Sequence, residues 1–261
     1  FYGVFDGQGH TVKSLNISNF YTNTGLFGHT SGVRVKNIVL DSSCKANYGG
    51  TWYSDLTIGS LIGSCVADDG PCVIENSVSM TEIVADVTRF TLTIGGVAGS
   101  FSSSTYEAYI KNCVNYGSMA YYYDGYYKTS VGGIVGYLKG PSARIQNCLN
   151  YGAINGSIQD AYEIHIGGVI GYGSAVLVMN CVSAGNVTLG GAIAGSLSSS
   201  VLSHSYWASL GSNSSACELC DAFTTVSNAS SFNLGNNDSS ERVLSSLNEF
   251  AEANALQGFS Q

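Results

Sequence analysis

One phrase returns along the chain with small changes: YIKNCVNYG at 109–117, RIQNCLNYG at 144–152 and, worn down, VMNCVSAG at 178–185. An Asn, a Cys and a Gly recur in the same order, about 35 residues apart. Either the amides and thiols are gathered as ligands, or they mark successive turns of one scaffold.

A second landmark decides between the two. GLFG at 25–28, GSLIG at 59–63, GGVAG at 95–99, GGIVG at 132–136, GGVIG at 167–171 and GGAIAG at 190–195 end on Gly28, Gly63, Gly99, Gly136, Gly171 and Gly195. Each is followed about ten residues later by the Asn phrase: VKNIVL, IENSVS, IKNCVN, IQNCLN, VMNCVS and finally LSHSYW at 202–207. Two landmarks marching in step are the signature of stacked units.

The glycine spacings are 35, 36, 37, 35 and then 24. At about 3.3 Å per extended residue, a 24-residue step traces roughly 80 Å, the right order for one closed coil. The longer steps are that coil plus an insertion. The spacing therefore predicts an all-β fold: a parallel β-helix-like solenoid of about six rungs with long insertions over 1–207. A unit this small cannot bury its own apolar face and is stabilised by its neighbours.

Stacking gives each landmark a role. Gly allows φ > 0 and close backbone approach at a corner. Asn37, Asn76, Asn112, Asn147 and Asn180, with His204 in the sixth slot, are expected to pass hydrogen bonds up the stack as an amide ladder. Cys113, Cys148 and Cys181 then fall in one column, where parallel strands set side chains beside each other and not facing, so they read as small buried residues. Just before the Gly pairs, period-two alternation puts Ile58, Ile94, Val131, Ile166 and Leu189 inward. The same alternation puts Thr57, Thr93, Ser130, His165 and Thr188 outward.

Composition excludes several function classes. Of 261 residues 44% are apolar and 11% charged, with 10 Lys+Arg against 18 Asp+Glu. Nucleic-acid binding needs clustered cations, and none occur. No apolar run is long enough to span a bilayer, so no membrane insertion is expected. The 33 Gly with only 2 Pro suit many short strands joined by tight corners.

Eight Cys include the close pairs Cys65–Cys72 and Cys217–Cys220, which are expected to form disulfides. Sequons begin at Asn16, Asn155, Asn186, Asn213, Asn228 and Asn237 and mark candidate N-glycans. Together they favour an extracellular or cell-surface location. The chain begins at Phe1 without Met and reads as a piece of a longer precursor.

FYGVFDGQGHTVKSLNI at 1–17, with GLFG at 25–28 and VKNIVL at 35–40, resembles the GLUG-motif repeat proteins, named for a Gly-Leu-apolar-Gly core. The resemblance covers about 1–207 and is sharpest at 1–40. In GVAG, GIVG and GVIG only the glycine frame persists. It implies large secreted or surface β-solenoids, found in bacterial adhesins and surface proteases and in protists. It implies no activity, because the motif is scaffold.

Residues 208–261 break the pattern. They read as a loop carrying Cys217–Cys220, then an amphipathic helix over 238–259 with Val243, Leu244, Leu247, Phe250 and Ala251 on one stripe. That segment is expected to cap the stack or dock onto a neighbour.

Chemistry is thin. Asp41, Asp55, Asp68, Asp86, Asp124 and Asp160 fall at unrelated phases, so no acid–base pair is expected, and a polysaccharide-cleaving site is the weakest reading. His10, His29, His165 and His204 lack metal-ligand spacing, and no cofactor is implied. The strongest lead is aromatic. Tyr121, Tyr122, Tyr123, Tyr126 and Tyr127 crowd one insertion, with Tyr106, Tyr109 and Tyr116 near by. Rings with an apolar body and a hydroxyl suit interfaces and sugars. Two functions remain in view. One is a structural glycoprotein that self-associates through its solenoid ends, or joins other surface proteins, in a coat, appendage or filament. The other is an adhesin or glycan-binding module using the Tyr-rich insertion.

Overall fold

The computed structural model describes residues 1–18, 22–51, 54–88, 90–208 and 215–232. The chain is a parallel β-solenoid. Every strand pairing in it is parallel, and each strand meets its counterpart one coil away.

One coil shows the plan. Ala98–Ser102 and Ala108–Lys111 belong to a 13-stranded sheet, Val114–Asn115 to an 8-stranded sheet of very short strands, and Met119–Asp124 and Lys128–Gly132 to two 5-stranded sheets. Four consecutive coils carry this full set, at 27–59, 62–95, 98–132 and 135–167. The stretch 3–24 supplies a partial coil above them. Three shorter coils follow, ending at Ser183, Ala208 and Phe232, in which no insertion strand is present among the described residues.

The expected count of about six rungs is thus corrected at both ends. The short-strand sheet has eight levels because 1–17 contributes a coil with no glycine hairpin to announce it. Residues 215–232, expected to be loop, form a further coil: Cys217–Cys220 pairs with Ala194–Ser198, Thr225–Ser227 with Val201–Ser203 and Ser230–Phe232 with Tyr206–Ala208. No helix occurs among the described residues. The helix expected at 238–259 lies outside them.

Two cores result. Val35, Ile62, Ile74, Ile110, Ile145, Val178 and Leu202 fill the main coil. Tyr48, Ile83, Val87, Ile94, Met119, Tyr121 and Tyr123 fill a lobe built from the insertions, which are therefore regular strands.

The corners divide labour differently from expectation. Gly63, Gly99, Gly136, Gly171 and Gly195 do not have positive φ. Their requirement is space: a methyl group at Gly99 would stand 2.5 Å from the Gly63 carbonyl oxygen and 2.7 Å from Thr57 Cγ2. The left-handed corners belong to the Asn series, with φ of 55°, 51°, 53°, 53° and 53° at Asn37, Asn76, Asn112, Asn147 and Asn180. Asn tolerates that region because its short amide can hydrogen-bond locally.

The alternation before the Gly pairs is also refined. Ile58, Ile94, Val131 and Ile166 are fully buried, but Leu189 is exposed, because its coil lacks the insertion and Val187 takes the inward place. Thr93, Ser130 and His165, expected on an outer face, are buried where the returning strand folds against the next one.

Candidate functional site

The Asn series is a continuous amide ladder. Asn180 Nδ2 donates to Asn147 Oδ1 at 3.0 Å, Asn147 to Asn112 at 2.7 Å, Asn112 to Asn76 at 2.9 Å and Asn76 to Asn37 at 3.3 Å. Asn37 Nδ2 ends the series on the Asp6 carboxylate at 2.9 Å. That bond, followed by one from the Gln8 N–H, holds Asp6 below the usual carboxylate range. Below Asn180 the slot passes to His204, and Asn228 Nδ2 lies 3.1 Å from His204 Nε2. Asn228, expected as a glycan acceptor, therefore occupies a ladder corner at φ 49°.

The thiols belong to the same corners. Cys113, Cys148 and Cys181 are free and buried, as is Cys44. Each thiol of the column points back to the carbonyl two residues earlier at 3.2 Å. Ser77 and Ser205 hold the same slot and make the same contact at 2.9 and 3.0 Å. Burial pushes the Cys148 thiol well up, and its Cys neighbours act in the same direction. A raised pKa disfavours the nucleophilic thiolate, so Cys148 is structural. The two close pairs are bridged, Cys65–Cys72 across the turn between two strands and Cys217–Cys220 within one strand.

One feature of the repeated phrase escaped the sequence reading. Its second Asn, Asn115 or Asn150, is fully buried and brackets its own turn, bonding the Gly117 or Gly152 N–H and carbonyl at 3.0–3.1 Å. Asn115 Nδ2 also donates to Asn150 Oδ1 at 2.9 Å. The NxxN spacing was the available signal.

The tyrosines separate by parity. Tyr121 and Tyr123 face into the lobe core with Met119, and burial raises both phenols. The Tyr121 ring lies where any side chain at Gly156 would be. Tyr122 faces out, 38% exposed, and Tyr126 and Tyr127 are exposed in the turn beyond, Tyr127 stacked on Phe90 at 5.9 Å.

Around Tyr122 the outer face of the lobe forms a shallow cleft of about 420 Å³, lined by Val84, Asp86, Ala120, Tyr122, Asn155 and Gly156. Three adjoining strands place its polar groups. Asp86 is directly opposite Tyr122, Tyr122 opposite Ser157, and Val84, Ala120 and Asn155 form the next row. The arrangement offers an aromatic ring, a carboxylate and an amide on an open surface. It can hold a polar ligand with an apolar face; it lacks an enclosed space for chemistry. Asn16, Asn155 and Asn186 are exposed beside inward Ile17, Ile154 and Val187, so these sequons share this side of the lobe. Asn213 and Asn237 lie outside the described residues.

A second polar cluster lies at the lobe's other margin. Lys128 Nζ meets Glu163 at 2.6 Å, and His165 Nε2 lies 3.4 Å from the same carboxylate. Tyr172 touches His165 and stacks on Tyr137 at 5.2 Å. Burial holds the His165 imidazole below its ordinary pKa. Among the described residues no group of three His, Cys, Asp or Glu is placed to hold a metal ion, and no helix is long and apolar enough to cross a membrane.

Comparison with known proteins adds the fold. The chain is similar to a solved structure from Bacteroides ovatus described as a "putative immunoglobulin A1 protease". The TM-score is 0.62 at 18% identity, over 94% of this chain and 72% of that one. At this identity the likeness speaks for the solenoid alone. No family model matches the chain, and no curated protein matches it.

Proposed function

We propose that this chain is a non-catalytic, glycan-contacting module of an extracellular or surface protein, with the solenoid serving as a rigid mount for the insertion lobe. The observation that carries the reading is the Tyr122 cleft, which sets a half-exposed ring between Asp86 and Ser157 on the outer face, with Asn155 in the next row. A pyranose has an apolar face that stacks on a ring and hydroxyls that bond carboxylates and amides. The two disulfides and the resemblance of 1–40 to GLUG repeat proteins support the extracellular setting.

The test is a glycan array on the full chain. Binding to at least one carbohydrate class is expected, and Tyr122→Ala should weaken it about tenfold, the effect of losing roughly 1.4 kcal/mol of stacking. Tyr126→Ala should act less. An array without binding, or binding indifferent to Tyr122→Ala, would sink the reading.

A further inference from the structure

The lobe stops inside the chain, and its last strand is left open. The insertion sheet ends on Ile154–Gln159 and its companion on Glu163–Gly167. The next coil meets them through isolated bridges, Ile154 to Val187 and Gly167 to Gly191, and through Thr188, whose hydroxyl accepts from the Gly156 N–H at 3.3 Å. Past Thr188 residues 157–162 overhang, and among the described residues no strand pairs with the free side of 157–159.

Open edges are normally short or guarded by charge or Pro. At the opposite end of the same sheet the last strand, Asn16–Ile17, is only two residues long. The overhanging strand reads INGSIQ, six residues without an acid, a base or a Pro. Apolar surface adjoins it: Tyr162 is 78% exposed, Leu189 43% and Ile164 37%. Ile158 and Ala161 carry that surface into the lobe core.

Charge selects the occupant. Asp160 is exposed at the end of the strand, Glu163 follows it with Lys128 as its ion-pair partner, and Glu218 is near enough to act on His165. A second copy would bring the same acids in a chain of net charge −8. A basic segment would not be repelled.

We infer that the 157–159 end of this edge is a docking site for an extended, Lys- or Arg-bearing segment of another polypeptide, which continues the insertion sheet beyond Thr188. Backbone hydrogen bonds supply affinity in this mode of recognition, and side-chain pockets and charge supply selectivity. The inference does not use the Tyr122 cleft, which opens on the sheet's face, although Asn155 and Gly156 of the same strand line it.

Amide hydrogen exchange on the full chain tests it, with three short peptides at millimolar concentration. One alternates Val and Thr with Lys at both ends; its twin carries Glu instead; the third is the Lys peptide N-methylated at alternate residues. The Lys peptide should slow exchange at Ile158, whose N–H lies on the free side, about fivefold, and the other two should not. Asp160→Asn keeps a residue that tolerates its φ of 56°. It should weaken the Lys peptide by about 1.5- to 5-fold at low salt, with the difference fading in high salt. The proposal is overturned if no peptide protects the strand or if Lys and Glu peptides protect it equally. Slow exchange in the full chain alone would also overturn it, and so would protection that grows with protein concentration, the sign of a second copy.

Discussion

Asn112→Ala removes two contributions that the structure separates. The side chain donates to Asn76 Oδ1 at 2.9 Å and accepts from Asn147 Nδ2 at 2.7 Å, and the residue sits at φ 53°. Each ladder bond contributes about 1 kcal/mol net. Holding Ala in the left-handed region costs about another 1 kcal/mol. The expected loss is about 3 kcal/mol, a large share of a typical domain's stability. Asn112→Gly loses the bonds but keeps the corner, so it should remain about 1 kcal/mol more stable than the Ala variant. Urea unfolding followed by far-ultraviolet circular dichroism measures all three proteins, compared at a common slope. Amide exchange at 110–116 shows whether the change is local. If Ala and Gly variants agree within about 0.5 kcal/mol, the corner does not require positive φ. If both match the parent, the ladder does not stabilise the stack.

Three further outcomes follow from the same geometry. The bonds from Asn37 and Gln8 lower the folded-state pKa of Asp6, so its stabilisation is present above the unfolded value of about 3.9 and is lost as pH falls through the folded value. Protection of the amides at 36–38, relative to their intrinsic exchange rate at each pH, should fall as pH is lowered below about 4, and Asp6→Asn should flatten that dependence; an unchanged profile in the variant would refute it. A methyl group at Gly133 would overlap the Gly168 carbonyl oxygen and the Asn150 amide, whereas one at Gly49 meets nothing within 4 Å. Gly133→Ala should therefore cost 2 kcal/mol or more and Gly49→Ala about 0.5 or less, by thermal melting, and equal melting points would contradict the packing argument. The thiols of Cys44, Cys113, Cys148 and Cys181 should resist a thiol reagent in the native protein and all react after unfolding. Rapid native labelling of the column would show that it is open.

Much of this architecture was legible because a stacked coil writes its corners into the sequence. Close approach admits only Gly, and a left-handed corner favours Asn, so both landmarks survive while the residues between them drift. The ends were harder to see. Residues 1–17 lack a glycine hairpin, and in 215–232 the strand begins with Cys217 where earlier coils place Phe, Ile, Ala or Val, so the register went unseen although the pairing continues. At Asn228 two meanings shared one residue, since a sequon and a ladder corner are both spelled with Asn. The tyrosines show a different limit. Period two from Met119 puts Tyr121 and Tyr123 inside, but that phase was usable only once the insertion was known to be a strand. The open edge at 157–159 follows from a missing neighbour, which no local pattern records.

The amide ladder also has a direction. Every Nδ2 looks toward the first coil and every Oδ1 toward the last, so the column begins on a carboxylate, and Asn180 Oδ1 has no partner among the described residues. Long and bare coils share the same corner, so gene duplication can add or delete either kind without rewriting its neighbours. Length in such a molecule is an adjustable quantity, graduated in steps of about 4.8 Å. A descendant of this chain can move its lobe along the axis as a vernier slides along a rule.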